Sequence, residues 1–256
     1  MAAEPEAVDE DAVDRLVGAC GVRHIVKVAV GGVFFSWFTI RSNEIGKGYA
    51  TMLRISFAVI AGGGATAGLL LEPQLFRDSV AIAVAVVAAV GLFYRPRGID
   101  LVAVLIGVSG LVVAAIDAGG NEVVSLIRIL VGAAFLGAVT DAMLLGHWYL
   151  VQPGMPRKLL NDLVKVVLWI LPFEVGAMLL PTGMVSVLNG SVDDGWDGTL
   201  GWFWVACAIT TGVLTFVTTK ALKERSYSAV MAATGLMYLA ILTAFGTDLV
   251  ARAVLA

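Results

Sequence analysis

The chain has 256 residues, of which 59 % are hydrophobic and only 14 % are charged, and its net charge is −3. Soluble domains are about 45–50 % apolar and about 25 % charged, so this composition excludes an ordinary soluble protein and indicates a polytopic α-helical membrane protein. The mean hydropathy of +0.91 supports the same conclusion. The slightly negative net charge does not indicate a basic surface of the kind that binds nucleic acid.

Only two cysteines, Cys20 and Cys207, and two histidines, His24 and His147, occur in the chain. The cysteines show neither CxxC spacing nor a pairing pattern, so we predict no disulfide framework and no thiolate metal site. The motifs HExxH, GxSxG and Walker A are absent, and no loop is long enough for a catalytic domain. The sequence therefore leaves the catalytic residues unknown and does not decide whether the protein is an enzyme.

The first fourteen residues are acidic and lack the basic segment of a signal peptide, so no cleavage is expected. We predict a disordered acidic tail over residues 1–14 and a single transmembrane helical domain over residues 15–256, opened by a short interfacial helix. Eight apolar segments are then long enough to cross about 30 Å of hydrocarbon. They cover roughly residues 24–40, 50–71, 78–94, 99–117, 123–150, 160–182, 199–219 and 228–254. The predicted fold is an all-α integral membrane bundle of about eight transmembrane helices, and no internal repeat is visible in the sequence.

The predicted orientation follows from basic residues in alternate loops. Lysine and arginine occur in the loops after the first, third, fifth and seventh segments, namely Arg41, Lys47, Arg95, Arg97, Arg157, Lys158, Lys220, Lys223 and Arg225. The other loops hold Arg77 alone. Because short basic loops stay in the cytoplasm, we predict a multi-pass protein of the cell membrane with both termini outside.

The fifth segment carries the first candidate site. Asp141 lies inside it, and His147, Trp148 and Tyr149 lie near its predicted cytoplasmic end. An imidazole there can ligate a haem iron or donate a hydrogen bond to a quinone. These four residues would then line a cofactor pocket, with His147 as a metal ligand if the cofactor is haem. The competing interpretation is that His147, Trp148 and Tyr149 belong to the aromatic belt at the membrane surface.

Helical geometry separates these residues on the helix surface. Asp141 and Trp148 are seven residues apart and share a face, whereas His147 is rotated away by about 120°. Asp141 is a candidate for three roles: hydrogen-bond acceptor, partner of a cation and proton carrier. An unpaired carboxylate in hydrocarbon is expected to be protonated.

The sixth segment contains a second buried acid, Glu174, two residues after Pro172. Proline removes a backbone donor and is expected to kink the helix, and broken helices beside an acid can form binding sites at membrane depth. Asp141 and Glu174 would be coupling carboxylates for protons or ions, with Pro172 as a hinge. Lys165 is expected on the face opposite Glu174.

The remaining basic residues have simpler explanations. Arg54, Arg128 and Lys165 lie near span ends and are expected to extend toward the membrane surface. His24 is placed at the outer surface, too far from His147 for the two to share one haem. Arg157 and Lys158 are candidates for holding an anionic headgroup at the cytoplasmic face.

Two functions follow from these residues. The leading prediction is a redox-, quinone- or haem-linked respiratory membrane component with its site near the cytoplasmic leaflet. Its cofactor is unknown, with a quinone and haem b as the candidates. Its partners would be the lipid bilayer and membrane or soluble respiratory subunits. The alternative is a proton- or ion-coupled small-solute transporter that uses Asp141 and Glu174.

Overall fold

The computed structural model describes residues 10–41, 46–71, 73–94, 98–117, 120–152, 154–196 and 198–255. Within these ranges the chain forms helices and no strand: α1 Glu10–Arg41, α2 Lys47–Leu71, α3 Leu75–Tyr94, α4 Ile99–Asp117, α5 Glu122–Val151, α6 Lys158–Leu179, the short α7 Gly183–Leu188, α8 Thr199–Ala221 and α9 Tyr227–Val254. Most of the predicted disordered tail, residues 1–9, lies outside the described residues. Its last five residues belong to α1.

Local sequence signals set several helix ends. The side chain of Asn121 accepts hydrogen bonds from the backbone N–H groups of Val123 and Val124, at 3.1 and 3.2 Å, and so caps α5. Ser226 caps α9 in the same way through the N–H of Ala229. These side chains satisfy donors that have no partner within the helix. The predicted segment boundaries accordingly fall close to the observed helix ends, except at α1.

The bundle is a polytopic membrane protein. Among the described residues, six helices are long and apolar enough to cross a membrane, namely α2, α3, α4, α5, α8 and α9. Their outer surfaces expose large apolar side chains such as Leu70, Phe93 and Trp202, which suits contact with lipid. The long helices α1 and α6 are not among these six. The number eight therefore stays a prediction, and so does the orientation of the termini.

Helix packing divides the bundle into two similar halves. In the first half α1 packs on α2, α2 on α3 and α3 on α4, and α4 closes back onto α1. In the second half α5, α6, α8 and α9 repeat this ring in the same order. Because four helices of alternating direction separate their starts, α1 and α5 run parallel. The two halves thus share one order of helix contacts and run in the same direction.

The two halves meet mainly through α1 and α5, with additional contacts of α4 to α5 and of α1 to α9. From His24 to Thr39 nearly every side chain of α1 is buried or half-buried, Phe34 and Phe38 being exposed. Helix α1 is therefore a central helix of the bundle. We call the end of the bundle with the connections after α1, α3, α5 and α8 the basic end, which is the end predicted to face the cytoplasm.

Candidate functional site

Glycines allow α1 and α5 to touch at the backbone. A Cβ atom on Gly31 would lie 1.7 Å from the carbonyl oxygen of Ala133, and one on Gly137 would lie 2.1 Å from the carbonyl carbon of Gly31. Neither position has room for a side chain. We call this contact of Gly31, Ala133 and Gly137 the glycine crossing. It lies between two groups of buried polar residues.

The first group lies toward the end opposite the basic end, about one to two turns inside the ends of α6 and α9. Its centre is Asp248, whose carboxylate is completely buried. One oxygen, Oδ2, accepts a hydrogen bond from Nδ1 of His24 at 2.8 Å and contacts Nζ of Lys27. The other, Oδ1, accepts from Nε of Arg252 at 2.8 Å. Three donors from α1 and α9 therefore surround one carboxylate.

Glu174 is the second acid of this group, which we call the Asp248 cluster: His24, Lys27, Glu174, Asp248 and Arg252. Glu174 is completely buried, and neither of its carboxylate oxygens has a hydrogen-bond partner among the described residues. It nevertheless lies beside Asp248, with whose side chain its carboxyl group interacts, and within electrostatic range of Arg252 and Lys27. A buried polar group without a partner is costly, and such groups require an explanation.

Gly132 has no side chain and so leaves room for the Asp248 cluster. A Cβ atom on Gly132 would lie 2.8 Å from Oδ1 of Asp248, 2.7 Å from a terminal nitrogen of Arg252 and 3.6 Å from Oε1 of Glu174. The guanidinium of Arg252 also donates to the carbonyl oxygen of Arg128 at 2.7 Å. The side chains of α6 and α9 therefore meet over the backbone of α5.

The second group lies on the other side of the glycine crossing, nearer the basic end. Asp141 is completely buried in α5, and its Oδ2 has no hydrogen-bond partner in the described part of the chain. The hydroxyl of Tyr49 lies 3.4 Å from Oδ1 and 3.4 Å from the backbone oxygen of Asp141. The hydroxyl of Thr39 also acts on this carboxylate, and no cationic side chain is among the described groups that do. We call Thr39, Tyr49 and Asp141 the Asp141 site.

The structure separates the residues of the predicted cofactor pocket. Trp148 lies on the Asp141 face, with its ring centroid 5.9 Å from that of Tyr49. Tyr149 is buried and donates its hydroxyl hydrogen bond to the carbonyl of Pro156. His147 is on the exposed surface, where its Nδ1 lies 3.2 Å from the hydroxyl of Tyr238. His147 and Asp141 thus face different surroundings, as their spacing along the helix predicts.

The two predicted coupling carboxylates do not form one pair. Asp141 and the Gly132 backbone beneath Glu174 are nine residues apart on α5, which corresponds to about 13.5 Å along the helix. Helix α6 continues through Pro172 to Leu179. Lys165 is exposed and forms an ion pair of 3.6 Å with Asp162, on the face of α6 away from Glu174. The predicted opposition of Lys165 and Glu174 is therefore confirmed.

Two predicted surface positions are wrong. His24 is buried in the Asp248 cluster because α1 begins earlier and lies deeper in the bundle than its hydropathy indicates. Arg54 is buried and donates from Nε and a terminal nitrogen to the carboxylate of Asp100, at 2.9 and 2.7 Å. This bidentate pair joins α2 to α4 and satisfies both charges, so Arg54 has no need to reach the membrane surface.

Other basic side chains bind backbone oxygens. Arg128 is half-buried, and its guanidinium donates to the carbonyls of Ala177 and Leu180 at the end of α6. Arg157 donates to the carbonyls of Glu224 and Ser226, at 2.7 and 3.1 Å, and so ties two connections of the basic end together. Lys158 beside it is exposed. Headgroup binding by Arg157 and Lys158 remains a prediction.

Sequence reasoning missed Asp248 and the role of Lys27. One signal was present, because Asp248 and Arg252 are an acid and a base four residues apart in an otherwise apolar helix. Nothing in the sequence shows that α1 brings Lys27 to the same carboxylate. Among the described residues, no group of three or more His, Cys, Asp or Glu side chains is arranged to hold a metal ion. No family model, curated protein or solved structure matches the chain.

Proposed function

We propose that this protein is a proton-coupled carrier of small solutes, in which Asp141 and Glu174 hold the coupling protons. One observation carries the proposal: both carboxylates are completely buried in a membrane bundle, and each has at least one oxygen without a partner in the described part of the chain. An ionised carboxylate in such a place loses its hydration without compensation, so it takes up a proton instead. Acids of this kind inside membrane proteins commonly carry protons.

The position of the two acids favours a carrier over a purely structural role. They lie on opposite sides of the glycine crossing, at the surface where the two four-helix halves meet. In transporters built from repeats, coupling sites occur at the repeat interface, and one repeat moves against the other. A contact made by Gly31 and Gly137 carries no interlocking side chains. It is therefore a suitable surface for such a movement.

The surroundings of Asp141 favour a proton over a metal ion as the coupling species. The described groups that act on its carboxylate are two hydroxyls, those of Tyr49 and Thr39. Hard metal cations are held by larger sets of oxygen ligands, about six or more for calcium and magnesium. A proton needs only the one carboxylate, and a hydroxyl can hydrogen-bond to either protonation state.

The test is solute-dependent proton movement in liposomes. Purified protein is reconstituted with a pH-sensitive dye trapped inside, and amino acids, sugars, organic cations and carboxylates are added in separate assays. We expect one class to cause acidification by the wild type. Asp141→Asn and Glu174→Gln should each retain no more than about a tenth of that flux, which corresponds to about 1.4 kcal/mol in the barrier.

Asp162→Asn is the matched control, because Asp162 is an acid of α6 on the exposed face. It should leave the flux unchanged. Flux in both Asp141→Asn and Glu174→Gln at the wild-type level would refute the proposal. A flux that depends on a sodium gradient and not on a proton gradient would refute the choice of the proton.

The redox function remains a second proposal, supported by the pair of His147 and Tyr238. An imidazole hydrogen-bonded to a phenol on the exposed, lipid-facing surface is within reach of a quinone dissolved in the bilayer. A reduced-minus-oxidised absorption spectrum and a quinone extraction on the same purified sample test this function. A haem band or stoichiometric quinone that is lost in His147→Ala would support it, and a colourless, quinone-free protein would exclude it.

A further inference from the structure

We propose that Lys27, Asp248 and Glu174 form a proton-exchange site in which Lys27 pairs with Asp248 while Glu174 holds a proton. When that proton leaves, Lys27 turns to Glu174. This inference rests on the proposed proton-carrying role of Glu174 and adds two new members to its site. The ligand of the site is a single proton.

Hydrogen-bond donors are distributed unequally between Asp248 and Glu174. Asp248 accepts from His24 and Arg252 and contacts Lys27, so both of its oxygens are occupied. Glu174 has no donor in the described part of the chain, although Lys27 and Arg252 are in electrostatic range. An ionised Glu174 so close to two cations would pair with one of them. The arrangement is therefore that of a neutral, protonated Glu174.

The two acids and the two cations nearest to them can be paired in two ways. Lys27 and Arg252 carry two positive charges, and Asp248 and Glu174 carry two negative charges when both are ionised. That state is balanced when each acid has one cation. Both cations contact Asp248 here, which corresponds to the state with a proton on Glu174. When Glu174 loses that proton, its negative charge attracts one of the two cations.

Lys27 is the cation that is able to move. Arg252 is held at two places, by Asp248 and by the carbonyl of Arg128. Lys27 is a single ammonium on a flexible four-carbon stem, which can turn from one carboxylate to another. The charged groups that act on Glu174 from the elements around it are Lys27 of α1, Arg128 of α5, and Asp248 and Arg252 of α9. The titratable His24 of α1 contacts Asp248 in the same cluster. Arg128 is occupied by the carbonyls at the end of α6.

The test is a set of melting temperatures (Tm) for purified protein in detergent. Glu174→Gln keeps the size and neutrality of the protonated acid, so it should shift the Tm by less than about 2 °C. When Asp248 is replaced by Asn, Glu174 is the acid of the cluster that is left for Lys27 to pair with. There the added Glu174→Gln should lower the Tm by more than about 4 °C. With Lys27→Met also present, this additional loss should disappear.

Asp162→Asn serves again as the control and should have the same small effect in both backgrounds. An effect of Glu174→Gln that is equal with and without Asp248 would overturn the exchange, and so would a coupling that survives Lys27→Met. If Asp248→Asn is not recovered folded, the double variant Asp248→Asn with Lys27→Met, which lacks both charges, should be. A double variant recovered no better would also overturn the exchange.

These measurements are independent of transport. Coupling of the three residues in a protein that moves no protons would remove the proposed function and retain the exchange of Lys27. Solute-dependent flux that is lost in Glu174→Gln, without coupling between Glu174 and Asp248, would retain the function and remove the exchange.

Discussion

The role of each buried carboxylate in this bundle follows from the side chains that contact it. Asp100 has the bidentate guanidinium of Arg54 and acts as a structural ion pair between helices. Asp248 has three donors, Glu174 has none in the described part of the chain, and Asp141 has only hydroxyls. Residue type alone does not separate these roles. Those with unused oxygens are the ones for which a proton is the simplest partner.

A fifth acid, Asp194, lies outside the membrane in the connection before α8 and gives a prediction on pH. Partial desolvation raises the pKa of Asp194. Hydrogen bonds from backbone N–H groups lower it by more, so the pKa is below its ordinary value; the donors are Trp196, Gly198, Gly201 and Leu200. A lowered pKa in the folded state means that the stabilisation is present above the unfolded pKa, about 3.9, and is lost as the pH falls through the folded value.

We therefore expect Asp194→Asn to lower the Tm at neutral pH and to make the Tm less dependent on pH below about 4. Asp193→Asn is the control, because Asp193 in the same connection accepts a backbone hydrogen bond from the N–H of Gly195 at 2.9 Å. Thermal melts from neutral to acidic pH measure both. Equal acid profiles for Asp194→Asn and the wild type would contradict the role of Asp194 at the start of α8.

At this scale the sequence predicted what depends on one helix. The rotation of His147 away from Asp141, and the shared face of Asp141 and Trp148, follow from the helical period and agree with the structure. The partners of Lys27 and Arg54 lie on distant helices. Their pairing depends on interhelical register, which the composition of a single segment does not contain.

Among the elements, α1 and α5 determine how the rest of the bundle packs. Their parallel contact at the glycine crossing brings the backbone of one helix against the other. Close approach of membrane helices through small residues is a recognised source of association energy. The contact between Gly31 and Gly137 could not be assigned without knowing that α1 is central.

Gly137→Ala is therefore expected to be destabilising out of proportion to the one methyl group added. Its Cβ would lie 2.1 Å from the backbone of Gly31, so the helices must separate, and overpacking of this kind costs about 1–3 kcal/mol. The Tm of the purified protein and its yield after detergent extraction should both fall.

Gly176→Ala is the matched control in α6, where an added Cβ has no atom within 4 Å. Because alanine is the better helix former, this change should be neutral or stabilising by up to about 1 kcal/mol. If Gly137→Ala were as well tolerated as Gly176→Ala, the glycine crossing would not have the packing described here.

The sequence predicted the long helices well because apolar length and polar breaks are local properties. It predicted α1 least well. Charged residues such as Lys27 lower the hydropathy of that helix, and Lys27 is accommodated there because its partner, Asp248, lies on α9. The same charges explain why α1 is not among the helices that length and composition alone assign to the membrane.

For the whole molecule, the structure adds a division that the sequence did not reveal. Two rings of four helices, with the same order of contacts, meet along α1 and α5. The two halves are alike in the order of their helix contacts and not in their residues, since their buried acids are not at corresponding positions. Asp141 and the Asp248 cluster lie at this junction, on either side of the glycine crossing. The proposed coupling follows from that placement.

The most direct test of this account is an infrared spectrum of the wild-type protein in lipid at neutral pH, recorded in water and in deuterated water. Protonated carboxylic acids absorb apart from carboxylates, and their band shifts on deuteration. We expect such a band, weakened in Asp141→Asn, weakened in Glu174→Gln and unchanged in Asp162→Asn. A spectrum without the band, or one that both buried-acid variants leave unaltered, would contradict the claim that these two carboxylates hold protons inside the membrane.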